Sequence, residues 1–435
     1  MAMNDYALTE LSVGGAARAI AQGRTTSRRV VGACLDRIEA RDEIVGAWEF
    51  LDRSVALAQA TECDRSPSRG PLHGVPVGIK DVIQTSDMPT CYGSPIYRNH
   101  RTGVDAECVK RLRAAGAVIL GKTVTTEFAV FAPGKTTNPH NRLHTPGGSS
   151  SGSAAAVADR QVPFALGTQT AGSIIRPASF CGAIGYKASY ARIPYDGVLL
   201  SSTELDTLGT FTRTLEDLVI VGSVLSGIPY RDPIANAAPR IGLVRTPWWD
   251  RADVEQRKIV EAMAEKLARA AGAYVSELTI PGFEDLLEAH RSIMCREIAL
   301  SRQYEYENHR TSLSPRLQSI IEGGRALCVS EVQDAIRVAR RGRDQIARIF
   351  STHDVMLTPG TPGTAPEGLS STGDPIFNSV WTLLGVPCIT YPVARSSKGL
   401  PMGVQVTGPV DSDDRLIATT RWMQENSAPS DWRCD

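Results

Sequence analysis

This chain has no surplus of charge. Its 435 residues carry 47 Lys and Arg against 47 Asp and Glu, so no long-range field would gather nucleic acid or an anionic membrane. It has no run of 18 uncharged apolar residues, and its start, Met1-Ala2-Met3-Asn4-Asp5-Tyr6, shows no basic stretch followed by an apolar one. Neither a membrane span nor a secretory leader is expected, and the expected compartment is the cytoplasm. Paired cysteines are missing too: the nine cysteines (34, 63, 91, 108, 181, 295, 328, 388 and 434) are scattered and never form C-x-x-C. That excludes a disulfide framework and a cysteine zinc site, and reads as reduced thiols. There is no H-E-x-x-H, no internal repeat and no low-complexity tail. What remains is 42% hydrophobic and 22% charged residues, an ordinary globular composition that can bury a sizeable core and suits a small-molecule ligand.

Periodicity places the elements. Residues 27–39 read as an amphipathic helix with Val30, Val31, Cys34, Leu35 and Ile38 on one face, expected to pack on a sheet. An alternating run (Val75, Val77, Ile79), a helix over 105–115 and the apolar strand Val118-Ile119-Leu120 follow, a strand–helix–strand rhythm of α/β layering. Asp253 to Gln256 reads as a capping box opening a helix that ends at Gly272, and Ser330 to Gln333 as another opening. Val355–Leu357 and Gly403–Val406 read as further strands. A linker is allowed near 226–240, where Gly227, Pro229, Pro233 and Pro239 cluster.

Three segments carry chemistry. Ser149 lies in Thr145-Pro146-Gly147-Gly148-Ser149-Ser150-Ser151-Gly152-Ser153, and Ser173 in Gly167-Thr168-Gln169-Thr170-Ala171-Gly172-Ser173-Ile174-Ile175-Arg176-Pro177. Lys80 ends the alternating run Val75-Pro76-Val77-Gly78-Ile79-Lys80-Asp81. A serine hydroxyl needs a base in hydrogen-bond reach, and a lysine serves only when neutral, at a cost of about 4.6 kcal/mol at pH 7 unless its surroundings desolvate it. The apolar run supplies such surroundings. The adjacent Asp81 would undo this, but on an extended chain it faces away from Lys80.

Two rival motifs fail on mechanism. Gly116 to Thr123 matches a Walker A pattern letter by letter, yet the residues that should form a phosphate-cradling loop are the strand 118–120 itself. Gly148-Ser149-Ser150-Ser151-Gly152 fits the nucleophile elbow of histidine-dependent hydrolases, but of the later histidines, His290, His309 and His353, none sits in a recognisable loop. His73 reads as structural, and Trp248, Trp249 and Trp381 as core or pocket lining.

Taken together and in this order, the Lys80, Ser149 and Ser173 segments resemble the amidase signature family, whose members hydrolyse C–N bonds in amides and related groups through a Ser-Ser-Lys triad. Leu205-Asp206-Thr207-Leu208-Gly209-Thr210-Phe211-Thr212-Arg213-Thr214-Leu215-Glu216-Asp217 and Trp381–Pro387 with Gly399–Gly403 are similar to further family blocks. The resemblance implies an α/β fold with a large mixed, mainly parallel sheet covered by helices. It also implies a single domain over 1–435, with an N-terminal helical segment of about 1–70 packed on it. It casts Ser173 as nucleophile, Ser149 as proton relay after a cis Gly148–Ser149 link, and Lys80 as base. The N–H groups of Thr170, Ala171, Gly172 and Ser173 form the oxyanion hole, and Ser150 hydrogen-bonds the lysine. No metal and no cofactor are implied.

Departures from the family narrow the expectation. Gln169 and Ala171 stand where many members have Asp and Gly, Ser151 where Gly is usual, and the arginine falls at 176 rather than 175. This form resembles the branch with malonamidase and carboxybiuret hydrolase, in which Arg176 would bind a substrate carboxylate through its planar fork. Carbamate-cleaving amidases (urethanases) are similar as well. The expected partner is a small amide or carbamate, with no nucleic acid and no membrane; a homodimer is allowed. The alternative is the amidase-like component of a glutamine-dependent amidotransferase.

Overall fold

A computed structural model describes residues 5–231, 238–270 and 272–427. The stretch considered as a linker falls partly on 232–237, and Cys434 beyond 427; both lie outside the described residues. One sheet holds eleven strands: β1 (Trp48–Leu51), β2 (Pro76–Lys80), β3 (Val118–Thr123), β4 (Phe164–Gln169), β5 (Ile184–Lys187), β6 (Thr207–Thr212), β7 (Arg240–Val244), β8 (Tyr274–Leu278), β9 (Val355–Pro359), β10 (Cys388–Arg395) and β11 (Pro401–Thr407), in the order β1-β3-β2-β4-β6-β5-β10-β11-β9-β7-β8.

The large mixed sheet under helices is as expected, but its balance is not mainly parallel. Parallel pairs occupy the two wings, β3-β2-β4 and β9-β7-β8. Every pair from β4 through β6, β5, β10 and β11 to β9 is antiparallel. Parallel neighbours need a crossover helix, which β2/β3 have in Glu107–Ala114 and β7/β8 in Val254–Arg269. Of the antiparallel pairs in the middle, β5/β6 and β10/β11 join consecutive strands with no helix between, whereas β4/β6, β5/β10 and β9/β11 pair strands separated by other elements. β2 and β4 are buried along their whole length, Lys80 and Gln169 included, so the polar ends of both strands are held inside the fold.

The N-terminal segment is helical except for β1, which pairs antiparallel with the edge of β3. Its helix Ser27–Val45 runs past the expected end at residue 39 and stops at Gly46, whose φ of 63° no helix can continue. Its apolar face packs with Trp48, Val118 and Leu120, as expected. Asp253 caps the helix Val254–Arg269 by accepting from Gln256 N at 2.7 Å, but the Gln256 side chain reaches Gly403 O instead of closing the box. The later helix opens at Cys328, not Ser330, because Glu331 sits at the third helical position and accepts from Cys328 N at 2.7 Å. The eight described cysteines are free thiols, and no helix among the described residues is long and apolar enough to cross a membrane.

The lysine of the Walker-like segment is fully buried in β3. Lys122 Nζ donates to Thr90 Oγ1 (2.7 Å) and Ile83 O (2.5 Å) and lies 3.6 Å from Asp81. It is a structural cation. Lys122→Met should destabilise the fold by about 3–5 kcal/mol, because it strands a buried carboxylate. Burial already holds the Asp81 carboxyl up at about 6. Without Lys122 that value rises further, so the deficit relative to wild type should grow as pH climbs above the wild-type folded value of about 6 toward the variant's higher one. Urea unfolding at pH 5 and pH 8 checks this: an equal loss at both would contradict it.

Candidate active site

The parallel wing brings the C-terminal ends of β2 and β4 to one edge, and antiparallel β6 starts beside them. Lys80, the last residue of β2, is completely buried. Its Nζ lies 2.7 Å from Ser149 Oγ and 2.8 Å from Thr168 Oγ1. Burial pulls its pKa from 10.5 down to about 7, against a smaller opposing pull from Asp206. Asp81 faces the other way, as strand alternation requires, accepting from Cys91 N at 3.0 Å and pairing with Lys122.

Ser149 is delivered by a tight glycine turn. Gly147 has φ of 81°, and a Cβ there would sit 2.8 Å from Pro177 Cα. The Gly148–Ser149 peptide is cis, and the helix Ser151–Ala158 begins directly afterwards. Ser150 does not contact the lysine. Its hydroxyl donates to Thr168 O (3.2 Å) and accepts from Thr168 N (3.3 Å), because on entering the helix it points at the β4 backbone. It thereby holds the residue whose own hydroxyl meets Lys80. The unusual Ser151 hydroxyl is satisfied by Val124 O at 3.3 Å.

The loop after β4 has its carbonyls tied back one by one. Thr170 O takes His290 Nε2 (2.9 Å), Ala171 O takes Thr382 Oγ1 (2.7 Å), Gly172 O takes Arg176 N (2.9 Å) and Ser173 O takes Ser150 N (3.3 Å). The N–H groups of Ala171, Gly172 and Ser173 have no partner among the described residues. A Cβ at Gly172 would lie 2.6 Å from Asn378 Oδ1, so only glycine fits there. Gln169 does a capping duty at its unusual position: Oε1 accepts from Ile174 N (2.8 Å) and Ile175 N (3.0 Å) while Nε2 donates to Thr382 Oγ1 (3.0 Å).

Ser149, Thr170, Ala171, Ser173 and Arg176 line one cavity, walled on its apolar side by Ala129, Val130, Phe131, Met294 and Ile298. Such walls exclude water and strengthen every polar interaction inside. Arg176 is 2% exposed and makes no ion pair among the described residues. It donates to Gly373 O (2.8 Å) and to Gly148 O (2.6 Å), while its Nε has no partner. Arg176 therefore braces the carbonyl just before Ser149, and its Nε–H is left without a partner.

A family model described as amidase matches residues 29–417. The chain belongs to the amidase signature family. Among its relatives, the A-type subunit of glutamyl-tRNA(Gln) amidotransferase from Oleidesulfovibrio alaskensis is 32% identical, with 94% of this chain and 96% of that protein covered. Similar solved structures include a chain of an inhibitor-bound vestigial protein complex that bears on the evolutionary origins of an s-triazine catabolic enzyme (26% identical, TM-score 0.89, 95% of this chain and 98% of that one). Another is the peptide amidase of Stenotrophomonas maltophilia (28% identical, TM-score 0.82, 98% and 99% covered). Amidase chemistry on C–N bonds is thus the activity class of the chain.

Four residues of this site escape a reading of the sequence: Thr168, Asp206, His290 and Thr382. Thr168, Asp206 and Thr382 lie inside segments the family resemblance covers. His290 sits on the helix Phe283–Ser301, far along the chain, and nothing local marks it. His290 is not a triad base: it is buried beside Thr170 O, and burial lowers its pKa to about 4. His353 is engaged with Ser276 and Thr352, and His309 packs on Tyr304.

Proposed function

We propose that this amidase, acting as one unit, cleaves the C–N bond of a small amide or carbamate through an acyl-enzyme on Ser173. In this reading Ser149 passes the proton to Lys80, the N–H groups of Thr170 to Ser173 take the oxyanion, and neither metal nor organic cofactor takes part. The observation that carries it is the 2.7 Å contact of Lys80 with Ser149, made by a fully buried lysine in a site that also holds Ser173. The free Nε of Arg176 supports a carboxylate-bearing substrate, since a buried guanidinium without an acid is unsatisfied until one arrives.

The test is a panel of small amides with and without a carboxylate, an aryl carbamate, and glutamine. Arg176→Ala should lower kcat/KM on every substrate, because it releases the Gly148 carbonyl, and should cost acid-bearing amides about 30- to 1000-fold more than neutral ones. An equal loss on all would leave the arginine a brace alone and point to a broad amidase or urethanase. The curated relatives favour a second reading, an amidotransferase component in which the same acyl-enzyme frees ammonia from glutamine for a partner. Glutamine as the preferred substrate, with turnover that depends on added partner proteins, would establish that reading; hydrolysis of other amides by the chain alone would remove it.

A further inference from the structure

Lys80 must become an ammonium while the acyl-enzyme forms, yet among the described residues it meets only neutral oxygens, the hydroxyls of Ser149 and Thr168 and, at 3.5 Å, the Thr168 carbonyl, and no carboxylate at ion-pair distance. The strand register supplies a buried acid nearby. Gln169 of β4 pairs with Thr207 of β6, so Asp206, one residue before β6, comes opposite Thr170, one residue after β4. Thr168 and Thr170 are two apart on an extended chain and share a face. The first hydroxyl meets Lys80, and the second donates to Asp206 Oδ1 at 2.5 Å. Asp206 Oδ2 accepts from Ser201 N (2.7 Å) and Ser202 N (3.0 Å). The Tyr195 hydroxyl bridges the same gap, interacting with both Thr168 and Asp206. Asp206 is 7% exposed; its donors favour the carboxylate against the cost of burial, and it has no direct ion-pair partner among the described residues.

We propose that Asp206 is the counter-charge of Lys80, a positioning residue that stabilises the ammonium and ties it to the nucleophile loop through Thr170. This rests on Lys80 being the base. As Ser173 Oγ bonds to the acyl carbon, its proton passes to Ser149 Oγ, the Ser149 proton passes to the Nζ lone pair, and the carbonyl π pair becomes the oxyanion. When the C–N bond breaks, the ammonium returns its proton through Ser149 to the leaving nitrogen. Asp206 forms no bond in these steps; its contribution is Coulombic in a low-dielectric site. Burial holds Asp206 up at about 6 and Lys80 down at about 7, so above neutrality the acid is ionised while the amine is free. The other titratable groups around this face are Tyr190, Tyr195, the neutral His290, Arg176 across the cavity, Arg302, which pairs with Glu305 at 3.3 Å, Glu297, which accepts from the Ser202 hydroxyl, and Glu204, which pairs with Arg343 at 3.3 Å. The Asp81–Lys122 pair lies on the opposite side of β2.

Asp206→Asn, in the full chain, tests it. Its kcat should fall by about 10²-fold with KM within about threefold, and the limb on which kcat/KM rises with pH should move to lower pH, because Lys80 loses an opposite charge. A folded variant with an unmoved limb overturns the proposal. If Asp206→Asn does not fold, Tyr195→Phe decides: it strips a donor from the carboxylate, so a smaller shift in the same direction is expected, and no shift overturns the proposal equally. Lys80→Ala separates the two layers. Retained activity there would remove Lys80 as base, whereas an inactive Lys80→Ala beside an unshifted Asp206→Asn removes the counter-charge alone.

Discussion

Replacing Ser173 with alanine should lower kcat by about 10⁴- to 10⁶-fold while KM stays within a few-fold. The loop that carries it is held by contacts that do not involve its hydroxyl: the carbonyls of 170–173 are each tied to a separate group, and Gln169 caps the helix beyond. Alanine therefore removes the nucleophile and leaves the unpaired N–H groups in place, so a residual rate from oxyanion stabilisation should survive. Mass spectrometry of the wild-type protein, quenched during turnover, should find the acyl group on the peptide that contains Ser173. Near-wild-type turnover of Ser173→Ala would end the acyl-enzyme reading.

Lys80→Ala and Ser149→Ala should each cost about 10³- to 10⁵-fold in kcat, and the double variant should be little worse than either, because the two groups form one proton path. Losses that multiply would show that they act independently. The pH profile carries the same information. Lys80 accepts a proton only when neutral, and with its pKa drawn down to about 7 by burial the neutral fraction grows as pH rises through that value. kcat/KM should climb through an apparent pKa near neutrality and level off on the alkaline side. A limb near 10 would mean an ordinary lysine and no neutral base.

Much of the site is legible in the sequence because its parts are local signals. A glycine turn before Ser149, a small-residue loop around Ser173 and an apolar run ending in Lys80 can each be read in a few residues, and alternation alone turns Asp81 from Lys80 toward another partner. Ser150 departs from its expected contact because its role depends on which way the residue entering the helix points, and the β4 backbone beside it decides that rather than its neighbours in sequence. Likewise Glu331 takes its place as partner of Cys328 instead of within a box opened at Ser330, since several Ser, Cys and Glu spacings there satisfy the same cap pattern.

By itself the sequence determined the chemical inventory: two serines on constrained loops, one lysine in an apolar strand, a buried-strand pattern and an α/β rhythm, all set by short-range sterics, strand alternation and desolvation. The tertiary structure decided what long-range pairing alone can decide. It set the antiparallel centre of the sheet, where β4 meets β6, β5 meets β10 and β11 meets β9 across intervening elements. It set the bracing of Gly148 by Arg176 and of Thr170 by His290, from residues distant in the chain. It also set the approach of Asp206 to Lys80, which comes from the register of β4 against β6: a slip of one residue would turn that carboxylate to the other face.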